Sequence, residues 1–258
     1  MSLIHSFFSA FLMYTRIPMP QVEWREENRR YSLCFFPLCG AVIGGLLLLW
    51  RWLCTRLGAG ELLFASVGVA LPVLVTGGIH LDGFCDVCDA KASCGDRASM
   101  LRIMSDPHIG SFAVIRVALY LLLQLGVLSE VDSMKKALSC ALCFVASRAL
   151  SGLAAVTFRS ARQEGTLMQF VTPAHRRITV AVGILYATAV AAGLLLTDWL
   201  TGVAALVGMA ASFVYYRIES YRRFGGITGD LAGYFLQLCE LAGMGGVVAA
   251  GFMKGAFV

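Results

Sequence analysis

Apolar residues run along this chain in long unbroken blocks, not at the 3.6-residue spacing of a half-buried soluble helix. Runs of about 18 residues, enough for a helix to cross the hydrocarbon of a bilayer, occupy 33–50, 62–79, 178–197, 200–216 and 231–253. Two more, 109–128 and 137–158, are each interrupted by one cation, Arg116 and Arg148. A cation at mid-span costs roughly 2.5–3.5 kcal/mol on insertion scales, so each belongs against a polar partner inside the bundle. The pattern predicts an all-α fold: a polytopic transmembrane helix bundle of about seven spans, forming one integral membrane domain over residues 1–258. Segment 1–14 is apolar but too short to span, and predicts a helix lying at the interface or packed on the bundle.

Seven alternating spans sort the cations between two faces. One face collects those of the N-terminal segment and of the second, fourth and sixth loops, from Arg16 to Arg223. The other holds only Arg51, Arg56, Lys135, Lys136 and Lys254. This bias predicts a cytoplasmic N-terminus and an external C-terminus. The acidic and glycine-containing stretches fall in the same even-numbered loops, so chemistry and positive charge share one face.

Composition agrees. The chain is 58% hydrophobic and 14% charged, with a mean hydropathy of +0.75, where a soluble domain is about a quarter charged. Its net charge of +5 is accounted for by topology and predicts no nucleic-acid partner. The nine cysteines are an odd number, and Cys34, Cys39, Cys140, Cys143 and Cys239 lie in or beside apolar runs. They read as small buried hydrophobes, not as a disulfide framework. The N-terminal segment lacks the pattern of a removable leader.

The strongest local signal is Thr76-Gly77-Gly78-Ile79-His80-Leu81-Asp82-Gly83-Phe84-Cys85-Asp86-Val87-Cys88-Asp89. On a helix, Asp86 and Asp89 are rotated by about 40° and about −20° from Asp82, so the three carboxylates share one stripe. Two ionised carboxylates at that separation repel by roughly 2–4 kcal/mol at an effective dielectric near 20, and near a bilayer the stripe needs a cation. Oxygen-only ligands suit Mg²⁺ or Mn²⁺, which support in-line displacement at phosphorus. His80 reads as a base, a phosphate contact or an interfacial structural histidine. The competing readings are a solvated acidic loop, and a zinc site of Cys85, Cys88, Cys94 and His80.

A second acidic element, Gly225-Gly226-Ile227-Thr228-Gly229-Asp230, runs into the last apolar helix. Such a turn is a phosphate site if Asp230 holds a metal, and a plain helix cap if it does not. Farther along, Glu240 is an acid among apolar residues and predicts a cavity or a pairing with Arg116 or Arg148. The stretch Arg159-Ser160-Ala161-Arg162-Gln163-Glu164-Gly165-Thr166 offers guanidinium groups for phosphate oxygens, although topology alone also places arginines there.

Together these blocks resemble the cobalamin synthase family, the adenosylcobinamide-GDP ribazoletransferases. The resemblance is carried by Thr15-Arg16-Ile17-Pro18, Phe36-Pro37-Leu38-Cys39-Gly40, the Gly77–Asp89 stretch, the 104–110 segment, Arg162-Gln163-Glu164-Gly165 and the Gly225–Asp230 turn, over nearly the whole chain. It implies a Mg²⁺-dependent multi-pass enzyme of the bacterial inner membrane, with its active site facing the cytoplasm. Such an enzyme joins adenosylcobinamide-GDP to α-ribazole or its 5′-phosphate and releases GMP. It further implies that Asp82, Asp86, Asp89 and Asp230 are metal ligands and, with His80, catalytic. Arg16, Arg162, Glu164, Gly83, Thr228, Asp106 and His108 would then contact substrate. The chain departs from the family pattern at His108, where an arginine is usual, and at Gln237, where a glutamate is usual. A CDP-alcohol-type membrane phosphotransferase and an ion-coupled transporter are the other readings of spaced intramembrane charges.

Overall fold

In a computed structural model that describes residues 2–256, the chain is helical almost throughout. In order these helices are α1 (Ser2–Tyr14), α2 (Glu26–Arg29), α3 (Ser32–Leu57), α4 (Glu61–Thr76), α5 (Ile79–Ala92) and α6 (Arg97–Ile103). They continue with α7 (Ser111–Ser129), α8 (Met134–Thr157), α9 (Thr166–Val171), α10 (Arg176–Thr197), α11 (Trp199–Glu219) and α12 (Gly229–Ala256). A π-helical turn, Ser220–Phe224, extends α11. Six helices are long and apolar enough to cross a membrane, and α4 with α5 forms a bent pair that makes up to seven. Met1, part of the expected interfacial segment, lies outside the described residues. The rest of that segment is α1, which packs on α3.

The run at 62–79 is not one straight helix. It breaks after Thr76, and α5 leaves at 96° to α4. Gly77 and Gly78 both take left-handed backbone angles, φ 67° and 83°, which glycine adopts without steric cost. Thr76 seals the break: its hydroxyl donates to Pro72 O at 2.7 Å and accepts from the Gly78 N–H at 3.3 Å. Hydropathy does not register the break, because Ile79 continues the apolar run.

The most enclosed span is α8, whereas α7 and α10 lie at the periphery. Leu122 and Leu123 on α7, Leu185 and Leu196 on α10 and Val207 on α11 are exposed, as side chains facing lipid are. Inside, Arg148 on α8 and Glu240 on α12 form an ion pair at 2.6 Å with both side chains almost wholly buried. Ser147 donates to the same carboxylate oxygen at 2.9 Å. Of the two partners expected for Glu240, the fold selects Arg148. Arg116 instead donates to Cys88 O on α5 at 3.3 Å. All nine cysteines are free.

Contacts between loops separate two ends of the bundle. At one, Arg51 pairs with Glu61 and bonds to Asp132 O, Lys136 pairs with Asp132, and Lys254 with Asp198. At the other, the loop after α8 is joined to the loop before α12 by a short parallel bridge between Ser160 and Ile227. The bridge consists of Ile227 N–H to Arg159 O and Ala161 N–H to Ile227 O, both 2.9 Å, and Arg159 Nε adds a bond to Gly225 O at 2.9 Å. A Cβ on Gly226 would lie 2.6 Å from Ala161 N and closer still to Arg159 O. Only a residue without a side chain fits there.

Two outcomes follow from this packing. Glu240→Leu leaves Arg148 charged and unpaired and is expected to cost about 3–5 kcal/mol, much of it recovered in the Arg148→Met/Glu240→Leu double variant; unfolding in lipid nanodiscs measures both. Gly226→Ala is expected to open the bridge, read as faster amide hydrogen exchange at Ala161 and Ile227 with the spans unchanged.

Candidate active site

The acidic stripe forms on α5 because that segment is helical from Ile79 to Ala92. What places it is Gly83. A Cβ there would sit 2.8 Å from Asp230 Cα and 2.9 Å from Asp230 O, so the backbones of α5 and α12 touch. One turn deeper the contact repeats, with a Cβ on Gly233 falling 2.8 Å from His80 O. The two glycines let α5 lie directly on the first turns of α12, and Asp82 and Asp86 flank the crossing at Asp230. Asp82, Asp230 and Asp89 all act on Asp86 as like charges, and Arg162 is the positive charge that opposes them.

Asp89 has a second engagement. Its two carboxylate oxygens accept the N–H groups of Gly110, at 2.6 Å, and Ala113, at 2.8 Å, so it caps the start of α7 from a neighbouring helix. A stripe drawn from helical spacing does not distinguish it from Asp82 and Asp86; the α7 terminus does. At α12 the cap is Thr228, whose hydroxyl accepts the Leu231 N–H at 3.1 Å. Asp230 lies in the first helical turn, 3.5 Å from that hydroxyl. The cap reading of Asp230 is thus taken over by Thr228, and its carboxylate is left to face the stripe.

Arg162 reaches this region because the Ser160–Ile227 bridge brings its loop beside Thr228. It donates to Leu101 O and, at 2.9 Å, to Ser105 Oγ. With Glu164, Ser160, Thr228 and Asp230 it lines a polar recess of about 140 Å³. Arg16 lies over Gly77 and, with Asp82, lines an open groove of about 730 Å³. A partly open cavity of about 290 Å³ lies between, lined by Asp82, Asp230, His80, Tyr14, Phe36 and Ser151 among others. Asp82 borders the groove and the cavity; Asp230 borders the cavity and the recess.

Asp106 and His108 are not brought to this junction by any hydrogen bond or ion pair. They pair with one another on the exposed 104–110 loop, at 2.7 Å. The backbone N–H and then the ring of His108 hold the Asp106 carboxyl below its ordinary range. Tyr14 and Ser151 line the cavity without having been singled out in the sequence, because they lie in apolar runs with no spacing signal of their own. Thr166, the last residue of the arginine-bearing stretch and the first of α9, lines it too.

The donor set fits a hard cation. Asp82, Asp86 and Asp230 offer oxygen only, and Mg²⁺ typically takes one or two carboxylates with water and substrate phosphate completing its shell. Among the described residues no three His, Cys, Asp or Glu side chains converge closely enough to hold a metal, so the carboxylates suit a hard cation by donor type alone, and Cys85, Cys88, Cys94 and His80 form no ligand set either. Cys88 is buried in the apolar core, whereas Cys94 is exposed.

Residues 6–248 match the family described as cobalamin-5-phosphate synthase. An adenosylcobinamide-GDP ribazoletransferase of Lachnoclostridium phytofermentans is 42% identical over 252 residues, covering 97% of this chain and 96% of its own. Similarly named proteins of Pseudomonas syringae and Clostridium perfringens are 38% identical over 234 residues and 31% over 241. Each of these covers 90% of this chain and 93% or 92% of the relative. No solved structure matches the chain. The matched span takes in the acidic stripe, the bridged loops and the Asp230 turn, and the chain belongs to the cobalamin-5-phosphate synthase family.

Proposed function

We propose that this membrane protein is an adenosylcobinamide-GDP ribazoletransferase, joining the activated corrinoid to α-ribazole or α-ribazole 5′-phosphate with release of GMP. The observation that carries the chemical part of this reading is the Gly83–Asp230 backbone contact. It gathers carboxylates of two distant segments opposite one arginine, in a family whose members bear that name. The site lies at the end of the bundle rich in arginine, which supports a cytoplasmic orientation in a bacterial inner membrane.

Asp82, Asp86 and Asp230 are the residues that would hold Mg²⁺, with Mn²⁺ as an alternative. The ion would supply Lewis-acid charge to the phosphate oxygens at the junction. The polar recess of Arg162 and Thr228, of about 140 Å³, takes a phosphate of the departing nucleotide, and the guanidinium, fixed by Leu101 O and Ser105 Oγ, meets the charge that grows on it. The open groove beside Arg16 has room for the larger substrate. Asp82 touches both groove and cavity, so the carboxylates are positioned to take the proton of the attacking ribazole hydroxyl. Asp89 acts from behind by fixing α7 against α5.

Purified protein in nanodiscs, given adenosylcobinamide-GDP, α-ribazole and Mg²⁺, is expected to release GMP, and to stop when the metal is chelated. Absence of GMP from folded protein would end the transferase reading. Asp86→Asn is expected to lose turnover and keep its unfolding midpoint. Asp89→Ala is expected to show the opposite emphasis: a loss of about 1 kcal/mol of stability, the size of a helix cap, with residual turnover. Equal loss of turnover in both, without destabilisation, would return Asp89 to the metal.

A further inference from the structure

We propose that the cavity between Asp82 and Asp230 is the subsite for the planar aromatic base of the ribazole acceptor, seated against the wall formed by Tyr14 and Phe36. This rests on the transferase reading above and assigns one of its substrates to one of three adjoining spaces.

Size comes first. At about 290 Å³ the cavity is at the small end of the range for ligand sites. It suits a fused-ring heterocycle and excludes a corrin macrocycle, for which the open groove of about 730 Å³ is the roomier neighbour. Its wall chemistry separates the remaining two candidates. Guanine carries donors and acceptors around its rim, and the recess beside Arg162 is lined by Ser160, Glu164 and Thr228. Beyond Asp82, Asp230, His80, Ser151 and Thr166 at its edges, the cavity is walled by Tyr14, Phe36, Leu33, Leu236 and Ala155, surfaces that pack against an apolar ring.

The aromatic residues form one continuous wall. Tyr14 and Phe36 have ring centroids 4.1 Å apart, and His80 stacks on Tyr14 at 6.2 Å with 28° between planes. His80 is 6% exposed and contributes its ring to this wall; it also borders a narrower space beside Arg148 and Gln237.

The cavity is also placed for this ligand. His80 lies one helical turn deeper than the Gly83–Asp230 crossing, and the cavity's two carboxylates are Asp82 and Asp230. A base seated against Tyr14, Phe36 and His80 therefore presents its ribose to the carboxylates, where a hydroxyl must sit to attack phosphorus. Reaction geometry and apolar burial select the same orientation.

The test measures binding separately from turnover. Equilibrium dialysis of a labelled benzimidazole riboside, and separately of adenosylcobinamide-GDP, is carried out with the full-length protein in nanodiscs. Ala155→Leu adds bulk to the cavity wall and is expected to weaken riboside binding at least about tenfold, with corrinoid binding unchanged. Gly152→Ala is the milder companion, since its Cβ would meet only Leu33 O, at 3.5 Å. It is expected to weaken a dimethylated benzimidazole riboside more than the unsubstituted one. Riboside binding unchanged in folded Ala155→Leu and Gly152→Ala, or a loss confined to the corrinoid, overturns the subsite. Riboside bound and sensitive to the wall, without GMP release, keeps the subsite and rejects the transferase reading instead.

Discussion

The contact on which this structure depends is the approach of two backbones at Gly83 and Asp230. Carboxylates near a bilayer repel one another and lose hydration, so a cluster of them persists only where packing holds it and a cation or an arginine balances it. Here α5 lies on α12 with no side chain between them at Gly83 and, a turn deeper, at Gly233. That contact brings Asp82 and Asp86 to Asp230 across nearly 150 residues of sequence. The bend at Gly77 and Gly78 makes it possible, because a straight continuation of α4 would carry the stripe away from α12.

Two further devices hold the junction in place. Within the membrane, Arg148 and Glu240 tie α8 to α12 through a buried pair, fixing the helix whose first turn carries Asp230. At the polar end, the Ser160–Ile227 bridge joins two loops that neither hydropathy nor helix propensity connects, and Arg162 arrives at the site through it. The candidate site is thus clamped from below by charge in a low-dielectric core and from above by the hydrogen bonds that join the two loops. Its three spaces differ in size and polarity, which is what an enzyme joining two dissimilar substrates and releasing a nucleotide requires.

Much of this was legible in the sequence where the signal is a period or a run. The spans follow from apolar length, the grouping of charged loops from cation bias, and the stripe from helical spacing. Local competition was not legible. Asp89 shares the stripe's period with Asp82 and Asp86, yet the free amides at the start of α7 claim it. Thr228 and Asp230 are both plausible caps by residue type, and the backbone decides for Thr228. The helix break at Gly77-Gly78 hides inside an apolar run. Tyr14 and Ser151 reach the cavity only through tertiary packing, and Asp106 and His108, matched by resemblance, pair with each other on an exposed loop.

The proposed function turns on a divalent cation held between carboxylates of α5 and α12. Electron paramagnetic resonance of Mn²⁺ bound to the protein in nanodiscs, with adenosylcobinamide-GDP present, tests it most directly. A bound-ion signal is expected in the wild-type protein, in Asp89→Asn and in His80→Phe, and is expected to disappear in Asp82→Asn and in Asp230→Asn alike. A signal that survives Asp230→Asn, or that is lost only with Asp89, would contradict the account.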